Sequence, residues 1–186
     1  MTMKSSFLTF ILAGLCTASI GFAQSAGIDP GLLAKANGGD AAAQVGVGAT
    51  LAAGVDVPQD LKQAGDWYRK AAEQGNIAGE VHLAELCRDG RGMTRDKAQA
   101  AEWYLKAAEQ GDAGAQGTLA MLYVMGQGVQ QSDVEAYYWL DLAAAVKSSK
   151  QDQYIANRQN VGARITADEL EGVQDRVAKW KAAHPR

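Results

Sequence analysis

Residues 67–75 read WYRKAAEQG, and residues 103–111 read WYLKAAEQG. Eight of nine positions match at an offset of 36, and a worn third copy, WLDLAAAVK, occupies 139–147. Self-similarity at a fixed period of this length marks stacked supersecondary units, each too small to bury its apolar face alone. Outward from the phrase, the chain divides into units 40–75, 76–111 and 112–147, each carrying two helical patterns.

The second half of each unit places apolar residues at i, i+3, i+4, i+7 and i+8. These are Ala64, Trp67, Tyr68, Ala71 and Ala72, then Ala100, Trp103, Tyr104, Ala107 and Ala108, then Ala136, Trp139, Leu140, Ala143 and Ala144. That spacing makes one stripe down a helix face. The alanines let a neighbouring backbone come close, and the tryptophan is expected to fill the space beside them. The first halves carry a matching stripe at i, i+4 and i+8: Ala43, Val47 and Leu51, then Gly79, Leu83 and Cys87, then Ala115, Leu119 and Tyr123. Each unit is therefore a pair of antiparallel helices.

The punctuation agrees. Gly90-Arg91-Gly92 and Gly126-Gln127-Gly128 follow the first helices, and Gly54-Val55-Asp56 stands in their place in the first unit, where Asp tolerates the left-handed conformation. Asp60, Asp96 and Ser132 precede the second helices, each with Gln63, Gln99 or Glu135 three residues on, which predicts a capping box in every unit. Upstream, Asp29-Pro30 opens a short helix ended by Gly38-Gly39. Its LLAKANGG reads as the worn second helix of a preceding unit, so 24–39 is an N-terminal cap. Downstream, 148–186 is a C-terminal cap. It has a helix from about Tyr154 to Arg164, then a Thr166–Glu169 capping box opening a last helix with Leu170, Val173, Val177 and Trp180 on one face. This tail is expected to cover the end of the stack. The fold class is all-α, an α-solenoid of antiparallel helix pairs with capping helices.

The composition suits this. The 186-residue chain is 47% hydrophobic but only 7% aromatic, which favours close-packed helices over a sheet sandwich. A net charge of -3 without a basic stripe excludes nucleic acid as a partner. Residues 1–23 have the form of a secretory signal peptide. Lys4 precedes an apolar run, and Gly21-Phe22-Ala23 sets small residues for cleavage after Ala23. Cleavage leaves no stable membrane anchor and one cysteine, Cys87, so no internal disulfide framework. The expected location is periplasmic or secreted.

The repeat resembles the Sel1-like repeats, a tetratricopeptide-like family. The resemblance is carried by Gly90, Gly92, Asp96, Ala100, Trp103, Tyr104, Lys106, Ala107, Ala108, Glu109, Gln110 and Gly111, and it extends over 40–147. TADELEGVQDRVAKW, at 166–180, looks like the closing segment of bacterial members. The resemblance implies an α-solenoid used as an adaptor, with exported members implicated in envelope regulation and host contact. A cysteine-rich branch with a disulfide in each repeat implies an alternative, a protein that binds or hydrolyses cell-wall or β-lactam compounds. This chain lacks those cysteine pairs.

The residues themselves carry no catalytic constellation, and no cofactor or metal is expected. His184 lies at the chain end, and His82, with Glu80 and Glu85 nearby, offers too few ligands for a tight metal site. Cys87 lies on the packing stripe and reads as a buried small hydrophobe. The Gly-x-Gly turns follow helices and lack a Walker lysine and hydroxyl, so they are turns. Met121 and Met125 are read as packing residues. Lys70, Lys106, Glu73 and Glu109 recur with the phrase and form its wet side.

The function expected is therefore non-enzymatic. Stacked hairpins make a concave surface lined by their first helices. Residues off the packing stripe should face it: Gln44, Val45 and Ala49; Glu80, Val81, His82 and Glu85; Gln116, Gly117 and Met121. The expected partner is a protein or peptide held in this groove by a monomeric chain.

Overall fold

The computed structural model describes residues 27–185, and the segment read as a signal peptide, 1–23, lies outside them. Among the described residues the elements are helices: α1 Pro30–Asn37, α2 Ala41–Ala53, α3 Leu61–Glu73, α4 Ile77–Asp89, α5 Lys97–Glu109, α6 Ala113–Met125, α7 Asp133–Ala144, α8 Gln151–Gly162 and α9 Ala167–Ala183. Each helix from α1 to α7 packs on the next, most closely within the pairs α2/α3, α4/α5 and α6/α7. The architecture is the expected α-solenoid.

Local chemistry fixes the helix ends. Asp29 caps α1 through the Leu32 amide at 2.6 Å, with Pro30 in the first turn. Asp40, Asn76 and Asp112 cap the first helices through the amides of Ala43, Gly79 and Ala115 at 2.7, 3.0 and 2.6 Å. Asp60, Asp96 and Ser132 cap the second helices at 2.8, 2.9 and 3.2 Å. The reciprocal half of the expected capping box is redirected in two units. The Cys87 thiol reaches Gln99 Oε1 at 3.1 Å, and both Glu135 oxygens accept from Arg176. The full box forms at Thr166–Glu169. Each hairpin is closed by one recurring backbone bond: Asp60 N–H to Leu51 C=O, Asp96 to Cys87, and Ser132 to Tyr123, at 3.0, 2.9 and 3.1 Å.

The turns between the helices of a pair also join one unit to the next. Gly92 and Gly128 have φ of 72° and 76°, and Asp56 holds the same conformation at 61°. A Cβ at Gly92 would stand 2.4 Å from the Leu61 carbonyl carbon, and one at Gly128 2.0 Å from the Lys97 carbonyl oxygen. Each turn thus rests on the first residue of the preceding second helix, where a side chain has no room.

The stripes are buried as expected, with two revisions: Tyr123 is only half-buried, and so are two of the tryptophans. Ala64, Ala71, Ala100, Ala107, Ala108, Ala136 and Ala143 are fully buried, and so are Val47, Leu83, Cys87 and Leu140. Tyr68 and Tyr104 are buried too, but Trp67 and Trp103 are only half-buried. Lys70 Nζ lies 4.0 Å from the Trp67 ring centroid and Lys106 Nζ 3.7 Å from that of Trp103. These lysines are solvent-exposed yet engaged, each as the lid of an indole. Trp139 differs, being buried with its indole N–H unpartnered among the described residues.

A second set of polar contacts runs through the stack at the repeat period. Gln44 Nε2 donates to Ala36 C=O at 3.2 Å, and Gln116 Nε2 to Ala108 C=O at 3.0 Å. Gln74 Nε2 donates to Gln44 Oε1 and Gln110 Nε2 to Glu80 Oε2, both at 2.8 Å. Each bond fastens the start of a first helix to the end of a neighbouring second helix. Ala36 occupies the place of Ala108, so α1 serves as the second helix of a preceding pair. In the third unit Val146 stands where Gln74 and Gln110 stand, and Gln116 Oε1 is left without a partner among the described residues.

The C-terminal cap departs in detail from the expectation. α8 begins at Gln151, three residues earlier than the sequence suggested, and Lys150 precedes it with no side-chain cap among the described residues. Gln151 Nε2 donates to Ala144 C=O at 3.0 Å, so α8 takes the place of the next first helix. α9 then turns back onto α7. It buries Val173 and Val177, pairs Arg176 with Glu135 at 2.7 and 2.9 Å, and sets Lys181 3.3 Å from Asp141.

Two outcomes follow for stability. Trp139→Ala is expected to cost about 3–5 kcal/mol, against about 1–2 kcal/mol for the half-exposed Trp103→Ala, in urea unfolding. Equal costs would contradict the difference in burial. The second outcome concerns Glu80, which is buried while its counterparts are glutamines. Burial raises its carboxyl above the ordinary range, only partly offset by Lys106 and the Gln110 bond. A carboxyl raised on folding contributes stability below its unfolded value and loses it as pH rises through the folded one. Glu80→Gln can donate to Ala72 C=O while still accepting from Gln110. It should stabilise the chain by about 1 kcal/mol at neutral pH, with the gain shrinking on acidification.

Candidate functional site

The ten residues expected on the open face divide into two groups. Gln44, Glu80, Gln116 and Gly117 lie inside, contrary to that expectation. A first helix in a solenoid is covered on two sides, by its own partner and by the preceding second helix, so it carries two buried stripes. The first three engage polar atoms in the bonds described above. Gly117 is covered by Tyr154 of α8, whose ring a Cβ would meet at 2.3 Å. Val45 and Val81 are half-buried against the core. Ala49 and Glu85 are exposed, and His82 and Met121 are partly exposed. Positions 49, 85 and 121 are one register position in the three units, so an open row along α2, α4 and α6 reads Ala, Glu, Met.

The middle of this face is charged. His82 Nδ1 lies 3.2 Å from Glu85 Oε2, and the His82 ring sits 4.9 Å from that of Tyr68. Glu80, expected beside them, points away to Gln110. Arg88 closes α4: its Nε and Nη2 donate to Asp89 at 2.8 and 3.0 Å, and Nη1 donates to the Tyr104 hydroxyl at 3.1 Å. Burial, more than any charge, pushes the Tyr104 hydroxyl up to about 12 and raises that of Tyr68. The hydrogen bond to Asp89 raises the Arg88 guanidinium, and Arg88 in turn lowers Asp89. These phenols stay protonated at neutral pH and supply no general base.

At the C-terminal end of the face, α4, α6 and α8 enclose a cleft of about 340 Å³. Met121, Met125 and Tyr154 line it, with Thr118 and Asn157 beside them and Arg88 and Lys150 also in the wall. Met125, read from the sequence as a packing residue, is 50% exposed. The sequence hid this cleft because one wall comes from α8, which lies beyond the repeat phrase.

Elsewhere, Cys87 is buried, with its thiol 3.2 Å from Met93 Sδ and raised by that burial. His184 stacks on Trp180 at 4.2 Å. Among the described residues, no group of three or more His, Cys, Asp or Glu side chains is placed to hold a metal ion. No helix among them is long and apolar enough to cross a membrane.

The comparisons with known proteins come down on the same architecture. A protective antigen present in uropathogenic Escherichia coli strains, displaying an SLR fold, is 32% identical to this chain with a TM-score of 0.71. The likeness covers 81% of this chain but 32% of the antigen, so this chain spans about a third of that protein's length. A Sel1 repeat protein from Oxalobacter formigenes is 31% identical with a TM-score of 0.63, over 70% of this chain and 96% of the other. No curated protein matches. The Sel1 repeat pattern itself is found at residues 41–76, 78–112 and 114–146. With more than half its length so matched, and with the hairpins stacked as described, the chain belongs to the Sel1 repeat family.

Proposed function

We propose that this protein is an exported, non-enzymatic interaction module that holds a peptide or protein partner against the open face of its first helices. The observation that carries this reading is the row at positions 49, 85 and 121. The frame around it recurs from unit to unit in its alanines, caps and turns, whereas this exposed row changes from Ala49 to Glu85 to Met121. Variation of charge and size within a constant frame is what a surface fitted to one partner shows. Sel1 repeats are in general protein-interaction scaffolds, and the charged groups on this face are paired with one another rather than arranged around a nucleophile.

The signal-like segment 1–23 supports export, to the periplasm or beyond the cell. The chain then works as a monomer whose fold rests on packing alone, since Cys87 is a lone buried thiol.

Two experiments test this. The purified chain should capture a partner from envelope extract, and Glu85→Lys or Met121→Asp should each abolish that capture without lowering the melting temperature; capture unchanged by both would remove the face from the function. Residues 1–30 fused to a reporter active only outside the cytoplasm should give signal, and a silent fusion would remove export.

A further inference from the structure

The cleft at the C-terminal end of the open face has a chemistry of its own. Among the described residues, the large hydrophobic side chains left exposed are Val55 and Met125, and Met125 lies in this cleft. Beside it are Met121, held against Asn157 Nδ2 at 3.8 Å, and Tyr154. The wall contains two cations, Arg88 and Lys150, and no carboxylate. Arg88 is shared with Asp89 and Tyr104, whereas Lys150 is exposed and has no ion pair among the described residues. A wall charged only positively, in a chain of net charge -3, is a local arrangement rather than a reflection of the whole.

We propose that this cleft binds an acidic peptide segment. One apolar side chain of the segment enters between Met121, Met125 and Tyr154, and flanking Asp or Glu carboxylates face Lys150 and Arg88. The cleft's volume of about 340 Å³ lies at the low end of ligand sites, about 300–1,000 Å³. It therefore accepts one or two side chains of an extended segment. Thioether side chains adapt to the shape of an apolar anchor, which suits a site that recognises a class of side chain. The cations set orientation and selectivity against basic segments, and their effect is screened by salt. This proposal rests on the groove reading above and names the chemistry of its occupant.

The test uses the full chain and three fluorescein-labelled peptides in anisotropy titrations. The first alternates aspartate and leucine between glycine ends; the second replaces its aspartates by lysine; the third replaces its leucines by serine. The aspartate–leucine peptide should bind, and both others should bind at least roughly tenfold more weakly. Lys150→Glu should weaken the first peptide by a similar factor and strengthen the lysine peptide, and Met125→Ser should weaken both leucine-bearing peptides and leave the serine peptide unchanged. Both positions are exposed, and Lys150 opens α8 without a side-chain cap, where a glutamate is favoured, so both variants keep the fold. Equal binding of acidic and basic peptides, no binding of the first, or indifference to Lys150→Glu would each overturn the proposal. Should the envelope partner be lost in Glu85→Lys yet retained in Lys150→Glu, the groove reading stands and the cleft proposal fails. Retention in both would end both.

Discussion

Close approach of helix backbones is the constraint on which everything else in this molecule depends. Where α3 meets α4, a Cβ at Gly79 would stand 2.8 Å from Ala71 Cβ and 2.9 Å from Ala72 N. Where α2 meets α3, a Cβ at Gly48 would stand 2.7 Å from the Tyr68 ring. Helices this near gain dispersion along their whole length, and a single added methyl group would separate them. The alanine stripes at 71–72, 107–108 and 143–144 hold that spacing constant from one unit to the next. The aromatic residues are secondary to it: Tyr68 and Tyr104 fill what the small residues leave, and Trp67 and Trp103 roof the outside under their lysines.

Stacking at constant spacing leaves the problem of stopping. At the N-terminal end, α1 imitates a second helix closely enough for Ala36 to accept from Gln44 as Ala108 accepts from Gln116. At the C-terminal end the imitation is cruder. Val146 cannot supply the amide that Gln74 and Gln110 supply, and Gln116 keeps an oxygen unpartnered among the described residues. The loss is offset elsewhere. α8 lays Tyr154 over Gly117, and α9 doubles back onto α7, where Arg176 both pairs with Glu135 and lies 4.4 Å from the Tyr138 ring. Exposed ion pairs contribute little singly. Here they accompany burial of Val173 and Val177, which supplies the driving force, and they fix the angle at which α9 docks.

The repeat period made the helices, their pairing and most of their caps legible, because each is decided by residues within one unit. What was illegible depends on neighbours. Gln44, Glu80 and Gln116 look like surface residues on a helical wheel, and only the preceding second helix reveals why they are buried. Their spacing of 36, with Gln74 and Gln110 at a fixed 30 residues downstream of the first two, was a usable signal: a polar residue that recurs with a polar companion has a structural partner. Trp103 looked like core because stripe arithmetic counts one packed face, while in the stack it stays half-buried with Lys106 over its ring. The cleft had no such signal, since α8 does not repeat and Lys150 and Tyr154 have no counterparts in the phrase.

These two kinds of residue separate function from frame more cleanly than conspicuousness does. The phrase at 67–75 and 103–111 is the most visible feature of the sequence and is almost wholly consumed by packing, capping and lidding. Its Gln74 and Gln110, the polar residues with the best claim to a site, are spent tying each second helix to the first helix of its own hairpin. Side chains free to meet a partner occur where the period imposes nothing: the row at 49, 85 and 121, and the cleft where the third unit meets a helix outside the repeat. A solenoid can vary such positions without disturbing its stack, because they lie off the buried stripes that join one helix to the next. The same independence is what the proposed peptide site draws on in the C-terminal cap. α8 must cover the last unit, and in doing so it sets Tyr154, Asn157 and Lys150 opposite Met121 and Met125. One helix thereby ends the stack and supplies half of a cleft that the repeats could not form among themselves.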